Sequence, residues 1–378
     1  MNAAREVKTI RPISDDDLDH ALARQLARAT RYWARSAGLD AAQGKLLAGV
    51  AEKLATEMET GHVCLHIEEL ENTEKAQPAA HQSPLARERE RGGGEGNGHD
   101  QSIPIRETLL ATRLVAEAQD PQPLPFVLDA DGRFYLHRYY DYEVRLASAL
   151  LRLLDAPQQP CLPPAVLSLL PKLFPTSIEA MPAPLSPDPS PAKGEGRKET
   201  NWQKIAVLRA LTSRLTIICG GPGTGKTRSV ANYLACKLHA DPKTRVALTA
   251  PTGKAATRME EALRQRFDEL TDKVPPELAA RLPRESFTLH RLLGFNPSTG
   301  KPRYHLENPL PYEVIIVDEA SMIDIALATH LVEALPENAT LLILGDRDQL
   351  AAVEKGVVLG ALASGGGRRI VGGNAAGA

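Results

Sequence analysis

A chain of 378 residues with 47 acidic and 45 basic side chains carries a formal net charge of -2, so no global basic field advertises nucleic acid or an anionic membrane. Its length allows two or three domains, each with a core of its own. The four cysteines, Cys64, Cys161, Cys219 and Cys236, form no CxxC pair, which argues against a zinc site or a disulfide framework and for a reducing, cytoplasmic setting.

The N-terminal MNAAREVKTIRPISDDD is polar and acidic, and no apolar run approaches the roughly 18 residues of a membrane span, so export is not expected. Residues 14 to 70 are expected to be helical, with SDDD as an acidic start and Ser14 as candidate N-cap. Arg24, Arg28, Arg31 and Arg35 follow at steps of four, three and four and share one helix face. Such a stripe could bind a partner or DNA, although a charge run is more often a solvated face. Residues 72 to 102 lose apolar periodicity and read as a disordered insertion.

Two alternating runs around Asp131-Gly132 signal a hairpin, and an amphipathic helix follows to about residue 154. Tyr135, Tyr139, Tyr140 and Tyr142 cluster here; strand tyrosines packing a small core or an interface are commoner than nucleic-acid stacking platforms. Residues 183 to 200 are rich in Pro and Gly and read as a linker. The expected organisation is an N-terminal, mostly helical domain over 1 to 160, a second domain over 201 to 360, and a glycine-rich disordered tail over 361 to 378.

The second of these domains carries the chemistry. LTIICGGPGTGKT is a β-rich run, then Gly220, Gly221, Pro222, Gly223, Thr224, Gly225, Lys226 and Thr227, then a helix with Val230, Leu234 and Leu238 at steps of four. In that strand-loop-helix context the loop N–H groups and the helix N-terminus cradle phosphate. Lys226 is expected to bridge the β- and γ-phosphates and Thr227 to coordinate Mg²⁺. In EVIIVDEASMID, Val314 to Val317 read as a strand buried on both faces, delivering Asp318 and Glu319 to its C-terminal end. Asp318 would hold the Mg²⁺ shell while Glu319 polarises the attacking water. RVALTAPTGKAATRM and LLILGDRDQL supply two further strands, the second ending at Gly345 and Asp346. Repeated strand-helix units imply a doubly wound parallel α/β sheet of P-loop type with its loops on one edge.

GGPGTGKT, APTGKAATRM, FTLHRLLG, VIIVDEASMID and GDRDQLAAVEKGVVLG resemble, in order, the motifs of superfamily 1 DNA helicases. In wording they are most similar to the RecD family, the alpha subunits of exodeoxyribonuclease V (RecBCD enzymes). GHVCLHI and LDADGRFYLHRYYDYE resemble that family's N-terminal domain. The resemblance implies a RecA-like ATPase domain using ATP and Mg²⁺, in which Gln203 reads adenine, Asp346 belongs to the nucleotide site and Gln349 contacts the γ-phosphate. It also implies that Thr252, Lys254 and His290 lie along single-stranded DNA, although His290 could equally be a packed histidine. The family activity would be 5′-to-3′ DNA translocation in double-strand break repair and recombination, beside RecB- and RecC-type subunits docked on the N-terminal domain. Family members continue into a second RecA-like domain, so this chain is expected to bind ATP with weak hydrolysis and no independent unwinding. Rival readings are a docking module that merely holds nucleotide, a small-molecule P-loop kinase, and a degraded or frame-shifted remnant.

Overall fold

The computed structural model describes residues 21–70, 105–119, 122–155, 161–174, 201–221, 223–270, 272–283 and 285–346. The expected insertion at 72–102, the linker at 183–200, the tail at 361–378, and Ser14, Pro222 and Gln349 lie outside these. The chain divides into two compact units, Met1–Asp141 and Tyr142–Ala378.

In the first unit, α1 (Ala21–Ser36) packs on α2 (Ala41–Glu59). Ala23, Ala27, Thr30 and Ala34 are buried at steps of four, three and four, while the four arginines of the stripe are all exposed. Gly44 brings the two helices close, since a Cβ there would stand 3.4 Å from that of Ala34. Asp40 caps α2 by accepting from the Gln43 amide at 2.8 Å.

The helical expectation for 14 to 70 fails at its end. Gly61, at φ 95°, stops α2, and GHVCLHI goes on to β1 (Cys64–His66), which pairs with a strand some seventy residues away. That pairing, invisible to local periodicity, overrides the helix. After α3 (Ile105–Leu110) come β2 (Val115–Glu117), β3 (Phe126–Leu128) and β4 (Arg133–Leu136). The sheet order is β1-β4-β3-β2, antiparallel except for the β2/β3 pair. The expected hairpin is β3/β4, its turn closed by the Asp129 carboxylate on the amide and Nε of Arg133 at 2.8 and 2.6 Å. The following helix, α4 (His137–Asp155), starts earlier than the tyrosine reading assumed: Tyr139, Tyr140 and Tyr142 are helical, and Tyr135 alone of the four is in a strand.

From Tyr142 onward α4 belongs to the second unit, where its Arg145 makes a forked ion pair with Glu333 at 2.6 and 2.8 Å. Then follow α5 (Pro164–Leu173), α6 (Trp202–Thr212), β5 (Leu215–Cys219), α7 (Lys226–Ala240), β6 (Val246–Ala250), α8 (Gly253–Asp268), β7 (Ser286–Thr288), α9 (Leu289–Leu293), β8 (Val314–Val317), α10 (Ile325–Glu333) and β9 (Thr340–Gly345). All five strands run parallel in the order β5-β9-β8-β6-β7. β8 is buried at every residue, as its unbroken β-branched run requires. Val230, Leu234 and Leu238 of α7 are all buried, and α5, α6 and α8 close over this helix with Leu169, Val207 and Met259 in the same core. A parallel sheet collects the C-terminal ends of its strands on one edge, and that edge holds the site.

Candidate functional site

The strand order decides who meets whom. β9, last in sequence, is inserted between β5 and β8, so Gly345 and Asp346 emerge between the phosphate loop and the Asp318-Glu319 pair. The Gly220 amide donates to the Gly345 carbonyl at 3.2 Å, stitching the loop to that strand. On the other side the Asp318 amide donates to the Thr249 carbonyl at 2.9 Å, and β6 pairs with β7 through Ala250 and Thr288.

The loop holds two left-handed glycines, Gly223 at φ 78° and Gly225 at φ 85°, the second being the N-cap of α7. Lys226 and Thr227 are thus the first two residues of the helix, where orphan N–H groups and the dipole favour an anion. The Lys226 ammonium donates to the carbonyls of Gly220 and, at 3.2 Å, Gly221, so it sits folded over the loop it would use to grip phosphate. Thr224 closes the loop by donating to the Gly221 carbonyl at 2.9 Å.

A cleft of about 480 Å³ opens over this loop. Gln203, Gly221, Gly223, Thr224, Gly225, Lys226 and Thr227 line it together with Asp318 and Glu319, so nine residues expected from the sequence come together. Burial raises the pKa of Asp318, assisted by the charge of Glu319 and opposed by the Glu319 amide, Lys226 and Arg258. Glu319 has φ 51° and ψ 40°, a left-handed conformation that costs a non-glycine residue of order 1–3 kcal/mol. Its amide donates to the Asp318 carboxylate at 2.9 Å, holding that carboxylate against the Glu319 backbone. Asp346 is buried at the end of β9 and does not line the cleft.

The other expected residues form a separate group on the same edge. Thr252 caps α8, its hydroxyl accepting from the Ala255 amide at 3.2 Å. Lys254 and His290 are exposed, and Gly253 packs beside Thr288, which begins the segment holding His290. The His290 ring is tilted against Phe295 at 5.1 Å rather than enclosed in the core. The cleft also has a far wall to which the sequence assigned no role: Arg258, near the end of APTGKAATRM, and beyond it Ala262, Gln265 and Arg266 of α8. Helical spacing onward from the Thr252-Gly253-Lys254 turn was the available signal, and it became meaningful only once α8 lay beside the loop.

Magnesium prefers hard oxygen donors and keeps several waters, so it needs few protein ligands. The Thr227 hydroxyl and the Asp318 carboxylate match that donor set. Among the described residues there is no cluster of three or more His, Cys, Asp or Glu suited to a metal.

A parallel sheet with a phosphate loop on β5, an acidic pair on β8 and a strand inserted between them defines a RecA-like P-loop nucleotide-binding domain. Residues 203–355 match the family model described as an AAA domain, and residues 16–135 match the N-terminal domain of the RecBCD enzyme subunit RecD. The RecBCD enzyme subunit RecD of Haemophilus influenzae is 44% identical over 178 residues, 45% of this chain and 27% of that protein. Its counterpart from Mycobacterium tuberculosis is 38% identical over 265 residues, 68% of this chain and 40% of that one. The ATP-dependent RecD2 DNA helicase of Deinococcus radiodurans is 35% identical over 291 residues, 71% of this chain and 32% of that one. The chain is thus similar to RecD proteins in both of its matched regions, and it spans less than half the length of these relatives. Among solved structures, the UvsW helicase from bacteriophage T4 aligns with 42% of this chain and 58% of that chain at 14% identity and a TM-score of 0.29.

Proposed function

We propose that this chain is a RecD-type motor subunit that binds ATP with magnesium in the P-loop cleft and couples its hydrolysis to 5′-to-3′ movement along single-stranded DNA. The observation that carries this reading is the convergence of Lys226, Thr227, Asp318, Glu319 and Gln203 on one cleft from three separate stretches of chain. The work would be done in the cytoplasm beside RecB- and RecC-type subunits docked on the N-terminal unit, in double-strand break repair and recombination.

In this account the loop N–H groups and the α7 N-terminus hold the phosphates, and Lys226 leaves the Gly220 and Gly221 carbonyls to bridge the β- and γ-phosphates. Gln203, whose carboxamide lies against Gly225, stands at the loop's mouth to read the base. Thr227 and Asp318 would hold magnesium, which when bound neutralises phosphate charge. Glu319 takes the proton of the attacking water as the water oxygen bonds to the γ-phosphorus. The bridging P–O bond breaks and its electron pair leaves with ADP. Gln349, beyond Asp346, reports the γ-phosphate. Thr252, Lys254 and His290, at the β6 and β7 ends of the same edge, carry the DNA strand, and the Asp318-to-Thr249 hydrogen bond links the two regions.

The test is ATP turnover by the purified chain with and without single-stranded DNA. Turnover that rises with DNA and disappears in Lys226→Ala supports the reading. Turnover indifferent to both DNA and Lys226 refutes it.

A further inference from the structure

The wall of the cleft facing the phosphate loop is one face of α8. Ala255, Arg258, Ala262 and Gln265 follow one another there at steps of three, four and three. Ala255 and Ala262 stand about one turn to either side of Arg258 on the face that borders the cleft. Three arginines border the cleft, and they differ. Arg266 is committed to Glu269 through contacts of 2.7 and 2.9 Å. Arg228 and Arg266 also line a neighbouring hollow with Asn232 and Lys273. Arg258 is exposed, forms no hydrogen bond to a described residue, and is close enough to Asp318 to act on its charge, as Lys226 does from the loop side.

The charge balance leaves room for it. Lys226 is the cation of the loop, whereas Asp318 and Glu319 bring two carboxylates to the same cleft and a nucleoside triphosphate would add several more negative charges. A guanidinium with five donors in a fixed fork suits phosphate oxygens better than any other side chain.

We infer that Arg258 is a nucleotide-binding residue supplied by this same domain, gripping the terminal phosphate of a nucleoside triphosphate from the α8 side while Lys226 grips from the loop. The inference rests on the ATP reading proposed above and adds a specificity element to it. Arg258 makes the cleft prefer triphosphate to diphosphate.

Affinities of the full chain for ADP and for a non-hydrolysable ATP analogue, both with magnesium, test this in wild type, Arg258→Ala and Arg258→Lys. Arg258→Ala should weaken the analogue by about tenfold or more, the scale of one charge-assisted contact, and move ADP by no more than about twofold. Arg258→Lys should recover part of the loss, because the charge stays while the fork goes. Equal weakening of both nucleotides, or of neither, overturns the assignment of Arg258 and leaves the ATP site standing. A wild-type chain that binds neither nucleotide overturns the ATP reading, and the assignment with it.

Discussion

The carboxamide of Gln203 lies so close over Gly225 that a Cβ at Gly225 would collide with its Nε2. Gly225 is also held at φ 85° as the N-cap of α7, so two independent constraints, a left-handed backbone and a covering side chain, require glycine there. Gln203 can swing aside but the backbone cannot. Gly225→Ala is therefore expected to cost about 1–2 kcal/mol of stability from the left-handed conformation, and to displace Gln203 from the mouth of the loop. Thermal unfolding combined with competition between ATP and GTP checks both parts: a lower Tm together with lost preference for adenine is the expected pair.

Glu319→Gln keeps the size of the side chain and removes its basicity. Nucleotide affinity should stay near wild type while ATP turnover falls by about 10²- to 10⁴-fold, the usual worth of a general base. Single-turnover hydrolysis separates the two effects, and a variant that loses binding as well would contradict the role given to Glu319. Because Glu319 sits at φ 51°, Glu319→Gly should lose turnover equally yet unfold no more easily than wild type.

Asp318 has a pKa raised chiefly by burial. A folded-state value above the unfolded one means its favourable contribution is complete below the ordinary carboxylate range and is lost as pH rises through the raised value. At neutral pH the metal-free protein thus carries a desolvated carboxylate at a net cost. Asp318→Asn should raise Tm near pH 7 without magnesium, by a margin that vanishes near pH 4, while magnesium-dependent turnover drops by at least about 100-fold. Calorimetric scans at the two pH values decide it.

His330 shifts the other way. Its pKa is lowered by burial first and by Arg145 second, with Glu333 and Asp324 acting in the opposite sense, and its ring meets Tyr142 and Phe295 edge-on at 5.8 and 5.7 Å. A depressed folded-state pKa contributes stability that is present above the ordinary histidine value and is lost as pH falls through the depressed one. The second unit should lose Tm between about pH 7 and pH 5, and His330→Phe should flatten that slope.

Much of the second unit is legible in the sequence because its signals are local and agree. Val314 to Val317 could hardly be anything but a strand buried on both faces, and glycines between a β-rich run and a helix announce the phosphate loop. Strand order is a different matter. Nothing local says that β9 enters between β5 and β8, because its pairing with β5 joins residues more than a hundred positions apart. β1 was missed for the same reason, since three residues have no period of their own and take their state from β4. Arg258 was within reach as part of AATRM, but a helix-borne arginine has no stated role until its face is seen to border the cleft.

The central claim is that Lys226 and its loop form a working magnesium-nucleotide site, and the most direct measurement is calorimetric titration of the full chain with a non-hydrolysable ATP analogue. Wild type should bind with an affinity that depends on magnesium, and Lys226→Ala should weaken binding by about 10- to 100-fold, the scale of a contact between a charged group and phosphate. Equal binding by both proteins, or none by wild type, would contradict the account.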